Sequence, residues 1–268
     1  MFKKIKYLKD VIPVKTGIQK YWIPAYAGMT NIKYYMTTED LQKYKKVQTI
    51  AKETIEHLRS FIKEYVSEKE IKEEAEGFMK VNGIHSYWYH NIGAMVFVGE
   101  RTIVSVGREY QPTNAKVLSE DLVTVDLAPE IDGFWGDFAR SFIIVNGKVG
   151  ETNMSKIPEI TEGIKTETIV HEKFKNTMKE DMSLQEAYVK MNSFIEELGF
   201  INLDFKKNLG HSIEKNIDDR KYIEARNNIK FGEIDLFTFE PHIKKKNGNY
   251  GVRHENIYYF NNGKVETL

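Results

Sequence analysis

The most apolar runs of this chain are bounded by acids. Asp126 closes Leu122-Val123-Thr124-Val125, and Asp137, after a turn at Asp132-Gly133, opens Phe138-Ala139-Arg140-Ser141-Phe142. Glu240 ends Leu236-Phe237-Thr238-Phe239, and Glu255 lies in Gly251-Val252-Arg253-His254-Glu255-Asn256. His211 sits between these pairs, in Asn208-Leu209-Gly210-His211-Ser212-Ile213. Isolated charge is expensive to bury, so carboxylates in such surroundings are usually paired or bound to metal. Four carboxylates and one imidazole suit two hard or borderline divalent cations, with carboxylates bridging between them. Any fold adopted by the chain must bring these five residues together.

The segment 1–35 differs from the remainder of the chain. It carries seven lysines against the single acid Asp10 and shows no lasting helical or strand period. Its phrases Val11-Ile12-Pro13-Val14-Lys15-Thr16-Gly17-Ile18-Gln19 and Trp22-Ile23-Pro24-Ala25-Tyr26-Ala27-Gly28-Met29-Thr30 resemble the translated product of a bacterial intergenic repeat. Pro13 and Lys15 break its apolar stretch, which makes a poor signal-peptide core. The segment is expected to be a spurious or disordered extension, with Met36 as the start and 36–268 as one domain.

From Met36 the apolar period is helical over 41–66. Ser67-Glu68-Lys69-Glu70 fits a capping box that opens a second helix, and Asn82-Gly83 stops it. Strands are expected over 92–106, on either side of Asp132-Gly133 between 122 and 145, and over 234–243 and 251–260. Helices are expected over 157–178 and from the capping box Ser183-Leu184-Gln185-Glu186 to about Gly199. The order is helices, strands, helices, strands. That fits an α+β domain of two similar halves around an antiparallel sheet.

Formal net charge is zero, which gives no support for nucleic acid as a partner. The chain has no cysteine, which is compatible with a reducing cytoplasm. No apolar run approaches the roughly 18 residues of a membrane span.

Asp126-x10-Asp137, Gly210-His211, Phe239-Glu240-Pro241 and Arg253-His254-Glu255, in that order, resemble the pita-bread metallopeptidases. That family includes methionine aminopeptidase, aminopeptidase P and prolidase. The resemblance runs from about His90 to the C-terminus. It implies a curved antiparallel sheet with helices outside and two divalent ions (manganese, cobalt, zinc or iron) between the halves. Asp126 would chelate one ion, Asp137 and Glu255 would bridge both, and His211 and Glu240 would complete the other. Glu240 would also pass the water proton to the leaving amine. The implied activity is hydrolysis of N-terminal peptide bonds, including Xaa-Pro, by a cytoplasmic aminopeptidase or dipeptidase acting on peptides. Arg253-x-Glu255 is similar to the aminopeptidase P and prolidase branch.

Two family histidines have no counterpart. One position falls in Arg108-Glu109-Tyr110-Gln111-Pro112 and the other at Asp218. His242, two residues after Glu240 and so expected on the same strand face, is the candidate replacement. By the same alternation Arg253 points with Glu255, and His254 points away as a structural residue. His90 is read as the polar tip of an aromatic cluster and His171 as a surface residue. The missing histidines keep two other readings open: a pita-bread hydrolase of a non-peptide amide, and a non-catalytic peptide-binding module.

If the first 35 residues contribute nothing to the domain, a chain starting at Met36 keeps its melting temperature and metal content. A fall of more than about 2–4 °C, the shift expected for roughly 1 kcal/mol in a domain of this size, would show that the segment packs on it.

Overall fold

The computed structural model describes residues 36–268. The extension expected over 1–35 lies outside the described residues. The capping signals act as the sequence implies, although the first helix stops at Phe61, short of the expected residue 66, where Ile62 turns extended. Thr37 and Asp40 cap each other's backbone at the start of α1 (Thr38–Phe61). Ser67 and Glu70 do the same for α2 (Glu68–Val81), which Asn82 closes. Seven strands complete the first half: β1 (Ser86–Tyr87), β2 (Ala94–Val98), β3 (Asp121–Leu127), β4 (Pro129–Ile131), β5 (Phe134–Trp135), β6 (Phe138–Val145) and β7 (Lys148–Val149). They form a four-stranded sheet in the order β2-β3-β6-β7 and a small one in the order β1-β4-β5.

The second half repeats the plan. α3 (Pro158–Thr177) and α4 (Leu184–Glu197) precede β8 (Phe200–Asn202), β9 (Phe237–Phe239), β10 (His242–Lys245), β11 (Gly251–Arg253), β12 (Asn256–Asn261) and β13 (Lys264–Thr267). These make two sheets, β11-β10-β8 and β13-β12-β9. The strand pairs among the described residues are antiparallel. The architecture is α+β, two halves each of two helices over antiparallel strands, as the resemblance implies.

Alternation along β3 and β6 joins the halves. Val123, Val125, Phe142 and Ile144 pack under α1 and α2 with Leu58, Ile71 and Met79. Leu122, Ile143 and Val145 face the other way, into a core with Val170, Phe174, Met191, Phe239 and Tyr258. Successive strand side chains point to opposite faces, so two strands serve two cores. No helix among the described residues is long and apolar enough to cross a membrane.

Three expected strands are shorter than their apolar runs. After Val98 the chain turns into a short 3-10 helix at Gly99–Ile103. There buried Glu68 accepts hydrogen bonds from Val98 N–H (3.0 Å) and Arg101 Nε (2.8 Å). The run 234–243 breaks at Glu240-Pro241, where proline has no N–H to give a ladder. The run 251–260 breaks at His254-Glu255. There the Glu255 N–H leaves its own sheet and donates to Ala139 O on β6 at 3.0 Å.

Phe174 is fully buried and stacks on Phe239 at 3.9 Å between ring centroids. Phe174→Ala removes that packing and leaves a cavity. The expected loss is about 3–5 kcal/mol. It should read as a lower urea midpoint with an unchanged slope.

Candidate metal centre

Each of the five residues is held by a different device. Asp126 is part of β3, opposite Ala139 of β6. Asp137 precedes β6, and α1 fixes it. Its N–H donates to Gln48 Oε1 (3.0 Å), and Gln48 Nε2 donates to its carbonyl (2.8 Å). His211 needs the glycine before it. Gly210 has φ +144°, and a Cβ there would lie 2.3 Å from Thr238 O. That close approach lets His211 N–H reach Thr238 Oγ1 (3.0 Å) and Thr238 N–H reach His211 O (2.7 Å). The Glu240 N–H donates to Leu209 O at 2.9 Å, so the strand break beside Pro241 stays anchored. Glu255 hangs from β6 through the bond to Ala139. Arg140 steadies it by donating to Glu255 O (2.6 Å) and Asn256 Oδ1 (2.7 Å).

These devices bring the five side chains together. Asp126, Asp137 and Glu255 each place one oxygen within 4.8 Å of the others. His211 Nε2 lies 3.5 Å from Asp137 Oδ2 and 3.7 Å from Glu240 Oε1. His211 Nδ1 lies 3.1 Å from Ser212 O. A carbonyl only accepts, so Nδ1 carries the proton and Nε2 turns its lone pair toward the carboxylates. Burial drives the imidazole pKa down to about 3, which keeps the ring neutral.

The carboxylates are crowded and dry. Burial, then Glu240 and Asp126, pushes Asp137 well above the usual carboxylate range. Burial, then Asp137, Glu240 and Asp126, does the same to Glu255. Burial raises Glu240 to about 7. Burial also raises Asp126, although Arg253 opposes the shift. Neither buried oxygen of Glu255 has a hydrogen-bond partner among the described residues. One guanidinium, that of Arg253, pairs with this group of acids, through Asp126. Four convergent carboxylates, two orphaned oxygens and a free imidazole lone pair form a donor set that fits divalent cations. The group opens on a cavity of about 340 Å³ lined also by Trp88, Tyr89, Asp204, Arg220 and Tyr222.

Several sequence expectations need correction. His242 is not among the cavity's lining residues. Glu240 and His242 lie on either side of the break at Pro241, so strand alternation does not carry across it. The His242 Nε2 instead meets Thr102 O at 2.7 Å. His171 is buried, not at the surface. Its Nδ1 lies 2.7 Å from Tyr258 Oη and its Nε2 2.9 Å from His254 O, because that face of α3 packs on the second-half sheet. His254 packs against His171, the rings tilted by 40° with centroids 4.2 Å apart, and has Asn256 Nδ2 3.0 Å from its Nε2. His90 is exposed, edge-on to Tyr89; the aromatic cluster beside the cavity is Trp88 with Trp135 and His211. Asp218 is exposed and lies outside the cavity lining. Arg253 reaches Asp126 rather than its near neighbour Glu255.

Sequence reading also passed over two positioning residues with legible signals. Gln48 is a polar residue on the buried stripe of α1, beside Val47 and Ala51. Arg140 is a cation inside an apolar run. Nothing local marks Arg220.

A model of metallopeptidase family M24 matches residues 42–262. The chain belongs to that family. Methionine aminopeptidase of Escherichia coli K12 is 23% identical over 216 residues, which cover 77% of this chain and 76% of the relative. Among solved structures, prolidase from Pyrococcus furiosus superposes with a TM-score of 0.71 at 21% identity. That match covers 88% of this chain and 65% of the prolidase, so the chain spans about two-thirds of that protein's length. Methionine aminopeptidase from Thermotoga maritima gives 0.68 at 17% identity, over 86% of this chain and 96% of that one.

The acid group makes metal-free protein sensitive to pH. Its folded-state pKa values are raised, so the native state binds more protons than the unfolded chain between about pH 4 and the folded values. Stability therefore falls as pH rises through that window, which for Glu240 extends to about 7. Buried histidines such as His211 act in the opposite sense below about 6.5, so the acid is isolated by comparison: from pH 5.5 to 8, chelator-treated wild type is expected to lose melting temperature relative to Glu240→Gln, which has no such proton to lose. Added divalent metal should recover the loss at pH 8. A wild-type melting temperature that gains on that of Glu240→Gln from pH 5.5 to 8 would contradict the raised pKa of this acid.

Proposed function

We propose that this protein is a two-metal peptidase that hydrolyses the N-terminal bond of short peptides, including Xaa-Pro bonds. One observation carries the reading: three buried carboxylates, the half-buried Glu240 and a neutral imidazole converge beside an open cavity, with one paired guanidinium among the described residues for compensation. Prolidases and Xaa-Pro peptidases among the solved structural neighbours support the Xaa-Pro part.

Asp126, Asp137, His211, Glu240 and Glu255 would hold the ions, with Asp137 and Glu255 shared between them. Manganese, cobalt, zinc and iron all suit such donors, and availability selects among them. Bound ions would lower the pKa of a water and polarise the scissile carbonyl. The chain's own residues do the remainder. The Glu240 carboxylate takes the proton that water gives up and returns it to the departing amine. Arg253 orients Asp126 and offsets part of the charge. Gln48 and Arg140 fix the backbones that carry Asp137 and Glu255. The composition and the absence of cysteine favour the cytoplasm.

The test is a panel of Xaa-Pro and Met-Xaa peptides with protein loaded with manganese, cobalt or zinc. Metal-dependent release of the first residue is expected; no cleavage with any metal sinks the proposal. Asp137→Ala should lose both metal and activity, because the remaining acids then repel without a shared counter-charge. His254→Ala should keep both, since its ring packs on His171 away from the cavity. Equal metal loss in the two variants would show that the ligand set is wrong.

A further inference from the structure

Among the described residues, three cations line the cavity: Lys206, Arg220 and Arg253. Arg253 is taken by Asp126. Lys206 is exposed, over the ring of Phe205. Arg220 differs from both. It is half-buried, and its Nε donates to Ile217 O at 2.8 Å. Its guanidinium carbon lies 5.1 Å from the Trp88 ring centroid and 5.3 Å from that of Tyr222. The same two rings each stand 5.7 Å from the imidazole of His211. The backbone of His211 also bridges that of Tyr222. Arg220 is thus tied to the frame that holds a metal ligand, and its charge reaches Asp137, His211 and Glu240. Its two terminal nitrogens have no hydrogen-bond or carboxylate partner among the described residues. A guanidinium held by its Nε and two aromatic faces, with its fork unspent, is a preorganised donor.

We propose that Arg220 is a catalytic residue that donates to the oxygen of the scissile carbonyl and stabilises the charge developing there. As the water oxygen bonds to the carbonyl carbon, the C=O π pair moves onto the oxygen facing the Arg220 fork. Water's proton passes to Glu240. When the carbonyl re-forms, the C–N bond breaks and its electron pair leaves with the amine, which takes the proton from Glu240. Arg220 stays charged throughout and serves only as a donor. His211 is the one histidine lining the cavity, so no other imidazole competes for this role.

This role rests on the peptidase reading, and the experiment separates the two. Wild type, Arg220→Ala and Arg220→Lys are compared for metal content, for kcat and KM on a dipeptide and its C-terminal amide, and for binding of a phosphinic dipeptide analogue. The expected result for Arg220→Ala is a fall in kcat of about a hundredfold or more, as for loss of one oxyanion donor. KM should change little, and the loss should be equal on dipeptide and amide. The phosphinate should lose affinity in proportion to kcat/KM, as expected of a transition-state interaction. Should Arg220→Ala lose metal or unfold, Arg220→Lys carries the test: a partial fall in kcat with metal retained supports the role, and full activity overturns it. A KM rise confined to the free-carboxylate substrate, with kcat intact, makes Arg220 an anchor for the peptide's carboxylate and overturns the proposal. Unchanged phosphinate affinity in Arg220→Ala overturns it too. Wild type that neither cleaves peptides nor binds the phosphinate removes the peptidase reading and this role together. Wild type and Arg220→Ala that cleave equally fast remove only the role of Arg220.

Discussion

Mutual repulsion among four convergent acids, three of them buried, is the constraint that organises this molecule. Asp126, Asp137 and Glu255 bring oxygens within 4.8 Å of one another with little water to screen them. Such a group stays together only if the rest of the chain holds it rigidly and a counter-charge is supplied. Arg253 supplies one part, and the donor set is shaped for cations to supply the remainder. The scaffold accordingly places its strongest local devices here: an amide clamp from Gln48, a side-chain-free approach at Gly210, and a guanidinium under the Glu255 carbonyl.

The centre lies where the two halves join. Each half has its own core and its own pair of helices. The seam is a short set of polar contacts from β6 to the segment 253–256. Arg253 N–H donates to Ser141 Oγ (2.9 Å), Ser141 Oγ lies 3.1 Å from Arg253 O, and Glu255 N–H donates to Ala139 O (3.0 Å). Asp137 and Glu255, the proposed bridging pair, are thus drawn from opposite halves. Behind Glu255, the layer of His171, His254, Asn256 and Tyr258 satisfies the donors of β12 within the protein. Burial pushes Glu167, also in this layer, well above the usual carboxylate range; its oxygens have no hydrogen-bond partner among the described residues, and its Oε2 lies 3.8 Å from His171 Nε2. Burial there favours the neutral form of the acid.

Local signals predicted local structure well. Ser67 with Glu70 and Ser183 with Glu186 form reciprocal caps where their spacing places them. The apolar period gives the buried face of α1. The strands were harder to bound, because an apolar run shows that residues are buried without showing to which neighbour the backbone pairs. Glu240-Pro241 and His254-Glu255 interrupt runs that look continuous, and those interruptions lift the ligands out of their ladders. The inference for His242 failed on that point. Alternation holds along one strand, and Glu240 and His242 do not share one.

By itself the sequence determined which acids and which histidine were candidate ligands, the two-half α+β plan and the helix starts, because each depends on residue type at fixed spacing along the chain. Tertiary structure alone decided which groups surround that set. Gln48 clamps Asp137 across 89 positions, Arg253 pairs with Asp126 across 127, and Arg140 reaches Glu255 across 115. No periodicity spans such separations. Arg220 looks like any loop arginine until Trp88, Tyr222 and His211 close around it. The chemistry of a side chain is written in its type, but its field and its hydrogen-bond partners come from residues that only folding makes its neighbours.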